Sequence, residues 1–358
     1  MSALSCHILF KPSTFRIPSV SPRRRFRNMT TMSAVLYKKP GPPEELYVGH
    51  TEKPKVPKNN ILIRVCAAGI NRADILQRKG RYPPPPGESE ILGLECSGII
   101  ESVGEEVTQW KPGDRVMALL SGGGYAEYVS VPSCLALPIP NNMTMTEAAA
   151  IPETFLTVFQ SLFWLGQVCE NQKILVHGGA SGIGTSAIQL AKTVPGVHVT
   201  VTAGTDEKCQ ACVNLGADMA INYKNSQFEE KVKENGGVDF VLDIVGKAYI
   251  QQNLNVLNTN GRLVFLSMLS GPIAENLNLA PILQKRLTIM GSTLRSQTLL
   301  YRAKLVQEFR DYAMESLEKG RIKPVIDRVF PVDEVKEAHQ YIEGNKNTGK
   351  LVLALSSE

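Results

Sequence analysis

The stretch ILVHGGASGIGTSAIQLAK, residues 174–192, constrains the fold of this chain more than any other. A β-branched run ends in a glycine-rich turn, and the turn opens into an amphipathic helical period. Glycines at such a turn let backbone N–H groups approach a phosphate with no Cβ in the way, at the positive end of a helix dipole. Here Gly179, Gly182 and Gly184 surround Ser181 and Ile183, and Ser181 is placed to add a hydroxyl. A turn kept for packing alone would show the same glycines, so the surroundings decide. The runs KILVHG, HVTVTAG, DMAINY, DFVLDIVG, GRLVFLS and LTIMGS are near-continuous apolar strands separated by helical periods. That pattern belongs to a parallel sheet covered on both faces, and in that setting the turn is a dinucleotide site.

The turn lies in mid-chain, which is the second constraint. A chain of 358 residues exceeds the usual size of one core, at about 100–200 residues per domain. From residue 32 to 152 the reading is mostly strands punctuated by Gly and Pro: NILIRVCAAG, SGIIESVG, DRVMALL and YAEYVSV. A small strand-rich barrel is expected there. Residues 153–292 form the expected α/β nucleotide domain of Rossmann type. Residues 293–358, a long helix and a final strand GKLVLAL, form a C-terminal return to the first domain.

Composition excludes several classes of partner. The net charge of +5 resides in the first 32 residues, where Lys11, Arg16, Arg23, Arg24, Arg25 and Arg27 meet no Asp or Glu. The rest is nearly neutral, so no nucleic-acid surface is expected on charge grounds. No apolar run reaches the roughly 18 residues of a spanning helix, and no membrane insertion is expected. The Arg-rich, acid-free residues 1–31 fit an organelle transit segment, implying mitochondrion or chloroplast. A disordered extension before a start at Met29 or Met32 fits them too, and then the cytoplasm is expected. The seven cysteines are odd in number and scattered, so reduced thiols are expected. Cys209 and Cys212 have C-x-x-C spacing, but they sit in a helical period with no second pair to complete a metal site.

Which dinucleotide binds is read from the end of the second strand, where an Asp or Glu would bind the ribose 2′-OH of NAD. The strand instead ends in Ala203, Gly204 and Thr205, with Lys208 one turn later. Small hydroxylic residues and a cation suit a 2′-phosphate, so NADPH is the expected cofactor, with Asp206 and Glu207 as the opposing signal. Tyr223, after the third strand, is a candidate wall of the same pocket or an ordinary core aromatic. The spacing Gly178-x-x-x-Gly182-x-Gly184 also fits short-chain dehydrogenases. Those need a Tyr with a Lys four residues later, and none of the ten tyrosines has one.

The segments GINRADILQRKGRYPPPPG, ILGLECSG, GDRVMALLSGGGYAEYV, AAAIPETFLTVFQ, HGGASGIGTSAIQLAK, VTAGTDEK, STLRS and NKNTGKLVL together resemble the medium-chain dehydrogenase/reductase superfamily. Within it, the body of the chain is similar to the zinc-free quinone oxidoreductase (zeta-crystallin-like) branch, and most to the tumour-suppressor-inducible NADPH:quinone oxidoreductase subgroup. The resemblance implies an N-terminal GroES-like domain, a Rossmann domain and a homodimer joined through the edge of the Rossmann sheet, with GRLVFLSML as pairing strand. Zinc alcohol dehydrogenases of this superfamily carry a Cys and a His where this chain has Asn71 and Leu94. Neither can replace thiolate or imidazole, so no zinc is expected.

Without a metal, the acceptor should need little electrophilic help, and a quinone qualifies because water can protonate the hydroquinone anion. By resemblance, Asn71 and Tyr82 lie beside nicotinamide and substrate as the catalytic pair and also contact the cofactor, and Thr157 faces the nicotinamide. A turn-forming Asn71 and an exposed Tyr82 remain the structural alternatives. Val245, Gly246, Ser267 and Met268 end the fourth and fifth strands, where the sheet meets cofactor. Leu294, Arg295 and Lys350 could close the pocket from the C-terminal return. Reduction of an enal or enone double bond uses the same hydride geometry and stays open beside the quinone reading. A catalytically weak NADPH-binding sensor or RNA-binding protein is the alternative of another class.

Overall fold

The computed structural model describes residues 31–356. The transit expectation for residues 1–31 lies outside them except at Thr31, which opens the strand Thr31–Tyr37. All six runs assigned to the parallel sheet are strands: Lys173–His177, His198–Ala203, Met219–Asn222, Val238–Asp243, Leu257–Phe265 and Thr288–Gly291. In space the third lies outermost, followed by the second, first, fourth, fifth and sixth, with every pair parallel. This is the doubly wound Rossmann order. Ile174, Leu175, Val176, Val241 and Leu242 are fully buried, which is why both faces of these strands are apolar. The strand order reverses between Lys173–His177 and Val238–Asp243, and a crevice opens there at the carboxyl ends.

The other sheet has seven strands. Ile326–Pro331, Lys350–Ala354, Asn60–Ile70, Glu95–Val103, Arg115–Leu119 and Ala136–Pro138 follow one another, and Tyr128–Pro132 also pairs with Asn60–Ile70. Thr31–Tyr37 and Leu46–Glu52 form a separate antiparallel ribbon. Two of the seven strands come from the end of the chain, and Lys350–Ala354 runs antiparallel to Asn60–Ile70 with Leu353 opposite Ala68. The first sheet is therefore closed by the last residues.

One core passes through both sheets. Phe155, Leu156 and Phe159, on the helix Pro152–Phe159, join a buried cluster that includes Ile63 and Met117 of the first sheet and Ile174 and Val199 of the second. The helix Leu299–Glu318 packs on the same junction, with the Phe309 ring 6.4 Å from Phe155 and 5.8 Å from Phe159. Helical residues Met145–Leu165 are long and apolar enough to cross a bilayer by composition, but 72% of the apolar window is buried inside the protein. It is the central core helix, so its apolarity reflects burial against protein.

The expected pairing strand needs correction. Leu257–Phe265 is interior, bonded on one side to Val238–Asp243 and on the other to Thr288–Gly291. Its apolar pattern comes from burial on both faces, which interior parallel strands share with paired edges. The edge on this side of the sheet is Thr288–Gly291, and the segment leading into it exposes Ile273, Leu279 and Leu283.

Phe309→Ala removes the ring that ties the C-terminal helix to the junction. It should cost about 3–5 kcal/mol, read as a lower urea midpoint.

Candidate active site

The carboxyl ends of all six parallel strands open on one cleft of about 870 Å³, whose other wall comes from the first sheet. At the nucleotide end the glycine turn passes into the helix Gly182–Ala191, and the Ser181 hydroxyl accepts a hydrogen bond from the Gly184 N–H at 3.0 Å. This caps the helix. The N–H groups of Gly182 and Ile183 have no carbonyl to reach within the helix, and both residues line the cleft beside Ser181. A Cβ on Gly182 would come 2.7 Å from Cδ of Lys350, so this glycine also makes room for the lysine stem beneath the turn. The cradle fits a dinucleotide pyrophosphate.

Gly204, Thr205, Lys208 and Tyr223 continue the lining, together with Lys224, which the sequence reading passed over. Thr205 caps the next helix, Asp206–Asn214, by accepting from the Lys208 N–H. The Lys208 ammonium donates to the carbonyls of Asn345 at 2.7 Å and Asn347 at 2.8 Å. The Asp206 carboxylate is held by the Asn222 amide at 2.7 Å. Two lysines and neither of the two acids border this end.

At the centre, Val245, Ser267 and Thr157 line the cleft. The Val245 loop is fixed from below by Asp243, which accepts from the N–H groups of Val245 and Gly246 and from the Asn253 amide at 3.0 Å. Burial raises the Asp243 carboxyl to about 6. His177, lowered to about 4 by burial, shares Asn253 and reaches the Thr202 hydroxyl at 3.0 Å. Gly184, Gly246 and Met268 were expected at the cofactor but do not border the cleft. Gly184 faces its own turn, where a Cβ would lie 2.4 Å from the Gly178 carbonyl oxygen, and Gly246 faces Gly271 and Met268. Leu269 and Ser270 fold back onto the Ile244 and Val245 carbonyls, leaving Met268 at the bend and 46% exposed.

The acceptor end brings together Asn71, Tyr82, Leu294, Arg295 and Lys350, with Glu153 added. Lys350 is buried, and its ammonium donates to Glu95 Oε1 at 2.6 Å, Asn71 Oδ1 at 2.6 Å and the Ile70 carbonyl at 3.1 Å. Asn71 returns a bond from its amide to Glu95 Oε1 at 2.9 Å, and Glu95 Oε2 accepts from the Glu153 N–H at 2.9 Å. Asn71 also begins the helix Arg72–Arg78, forming a capping box with Asp74. Asn71 thus shapes the turn, as the structural alternative has it, and also borders the cleft. Arg295 donates to the Ser121 carbonyl at 2.7 Å and lies 5.4 Å from the Tyr82 ring centre, steadying the tyrosine. Burial raises the Tyr82 hydroxyl, and Glu153 adds to the effect.

A zinc ion finds no suitable donors at these positions. Asn71 offers an amide, Leu94 is a buried hydrocarbon, and the Lys350 ammonium already supplies a cation between Asn71 and Glu95. Sequence reasoning missed Glu95 and Glu153. Glu153 had a signal: it stands four residues before Thr157 on one helix, hence on the same face.

Residues 57–141 match the family described as "Alcohol dehydrogenase GroES-like domain", and residues 182–315 match "Zinc-binding dehydrogenase". The chain is 31% identical over 323 residues to the quinone oxidoreductase of Mus musculus, covering 88% of this chain and 95% of that protein. It is 32% identical to the synaptic vesicle membrane protein VAT-1 homolog of Danio rerio, with 84% of this chain matched but only 65% of that longer protein spanned. Among solved structures, the Escherichia coli quinone oxidoreductase complexed with NADPH superposes with a TM-score of 0.81 at 28% identity, covering 90% of this chain and 100% of that one. The CurK enoyl reductase gives 0.81 at 25% identity, covering 91% and 100%.

Lys350→Met leaves the Glu95 carboxylate buried without its cation, which should cost about 3–5 kcal/mol. Denaturant unfolding of this variant against Lys350→Met with Glu95→Leu checks it, because the paired change removes the stranded charge and should recover part of the loss.

Proposed function

The chain belongs to the medium-chain dehydrogenase/reductase superfamily, in its zinc-free quinone oxidoreductase branch, and on that premise we propose that it transfers hydride from NADPH to quinones without a metal. The relatives named as quinone oxidoreductases support an NAD(P)-dependent oxidoreductase; the choice of cofactor, the acceptor and zinc independence are our reading. The observation that carries it is the cleft itself. One end is a phosphate cradle bordered by Lys208 and Lys224 with no acid, and the other is an acceptor end whose fixed cation is the Lys350 ammonium.

Bound NADPH supplies the hydride. The N–H groups of Gly182 and Ile183 hold the pyrophosphate at the helix N-terminus, aided by Ser181. Lys208, Tyr223, Gly204 and Thr205 enclose the adenosine 2′-phosphate. Val245, Ser267, Leu294 and Thr157 line the cleft where they would hold the nicotinamide, and Tyr82 and Asn71 would border the ring to be reduced. Alignment is the main task, since a quinone is electrophilic enough to accept hydride without Lewis-acid help. Reduction of an enone double bond is the second reading, supported by the neighbour named as an enoyl reductase. We also propose a homodimer formed through the Thr288–Gly291 edge in place of Leu257–Phe265.

Steady-state oxidation of NADPH and NADH with an ortho-quinone, in the presence of a chelator, tests the reading. Turnover should be chelator-resistant and should prefer NADPH. Lys208→Ala should raise the NADPH KM about tenfold or more, as loss of a charged hydrogen bond of about 1.5–3 kcal/mol implies, while leaving the NADH KM nearly unchanged. Inertness with quinones alongside activity on an enone would replace the acceptor assignment. Sedimentation should give twice the chain mass, and Ile289→Lys on the exposed edge should shift it toward the monomer.

A further inference from the structure

We propose that Glu153 is the internal proton donor of this reaction, delivering the proton that completes acceptor reduction in the pocket formed with Tyr82 and Arg295. The inference rests on the oxidoreductase reading above and names the residue that supplies its proton.

The geometry is specific. Glu153 occupies the first turn of the helix Pro152–Phe159, half-buried at the acceptor end of the cleft and one turn from Thr157. Its N–H is committed to Glu95, whereas among the described residues no hydrogen bond engages its carboxyl group. Across the pocket, Arg295 is 4% exposed and its Nη2 has no hydrogen-bond partner among the described residues. A half-buried acid whose carboxyl has no partner borders the same cleft as the buried Arg295 guanidinium, which suits a carbonyl acceptor: the guanidinium charge favours negative charge on its oxygen and Glu153 supplies the proton.

The charges around Glu153 keep that proton in place. Glu95 comes from the strand Glu95–Val103, Asp74 from the helix Arg72–Arg78, Lys350 from the last strand, and Tyr82 and Arg295 from the facing loops. Burial is the largest influence and the Glu95 carboxylate the next, so Glu153 is raised to about 8 despite Lys350 and Arg295. Two neighbouring carboxyl groups are thereby divided into a paired anion and a neutral acid, as acid catalysis requires. In the step, the acceptor gains a hydride from nicotinamide C4 and a proton from Glu153. The Glu153 O–H bond breaks as an O–H bond forms on a quinone, or a C–H bond on an enone. The nicotinamide is oxidised by two electrons, the acceptor is reduced by two, and water in the cleft returns a proton to the carboxylate.

Because the acid form is the active one, kcat should be flat below about pH 8 and fall about tenfold per pH unit above it. Glu153→Gln should abolish this limb and lower kcat about 100-fold on an enone, and less on a quinone, whose anion water protonates readily. Its NADPH dissociation constant, from nucleotide fluorescence, should stay within about twofold of wild type by the same assignment. Without cofactor, the infrared difference spectrum of the wild type between pH 7 and 9 should lose a protonated-carboxyl band that the variant lacks. If Glu153→Gln fails to fold, Glu153→Asp replaces it and should displace the limb while slowing kcat. An unchanged limb and rate in the variant, with the wild type active, would overturn Glu153 alone. A loss traced wholly to weaker NADPH binding would do the same. No turnover of any acceptor by the wild type would overturn the oxidoreductase reading and this inference with it.

Discussion

The Lys350–Glu95 ion pair is the interaction on which the rest of the molecule depends. Both side chains are buried, 4% and 0% exposed, so neither charge is tolerable without the other. Lys350 also holds Asn71, and Glu95 holds the first turn of the core helix through the Glu153 N–H. The last strand, the first sheet and the helix leading into the nucleotide sheet meet at these few atoms. Directly above, the backbone of Gly349 donates to the Ala180 carbonyl at 2.8 Å, so the phosphate turn is pinned to the same strand. The acceptor end and the cofactor cradle are thus two sides of one junction.

This junction explains features that phosphate binding alone does not. Gly349 adopts φ +85°, and a Cβ there would lie 2.2 Å from the Val325 carbonyl oxygen, so the residue before Lys350 has to be glycine. Gly69 is equally constrained, since a Cβ would lie 2.1 Å from Glu95 Oε1. The glycines of the cleft therefore serve close packing around a buried charge as much as they serve a ligand.

The nucleotide sheet was legible in the sequence because its signals are local. Each parallel strand is a short apolar run, and the glycine turn announces itself within a few residues. The acceptor end was legible only in pieces. Asn71, Tyr82 and Lys350 came from the resemblance, while Glu95 stayed hidden because its partner stands 255 residues away. Met268 lies off the cleft lining between Ser267 and Leu269: the end of a strand locates a loop, but the direction of each side chain depends on how the backbone folds back. The pairing strand came from the resemblance, and nothing local in its sequence says that a further strand, Thr288–Gly291, covers its outer side.

The closure of the first sheet by the last strand also sets an order for biosynthesis. The Lys350 ammonium reaches back 280 residues to the Ile70 carbonyl, so the Asn60–Ile70 strand leaves the ribosome long before its neighbour exists. The nucleotide sheet, whose strands span residues 173–291, can assemble as a unit while synthesis continues. The first unit lacks this strand until residues 350–354 are made, and Glu95 meets its cation only then. Nascent chains stalled before residue 350 would therefore carry an assembled nucleotide half beside an open, polar-cored partner.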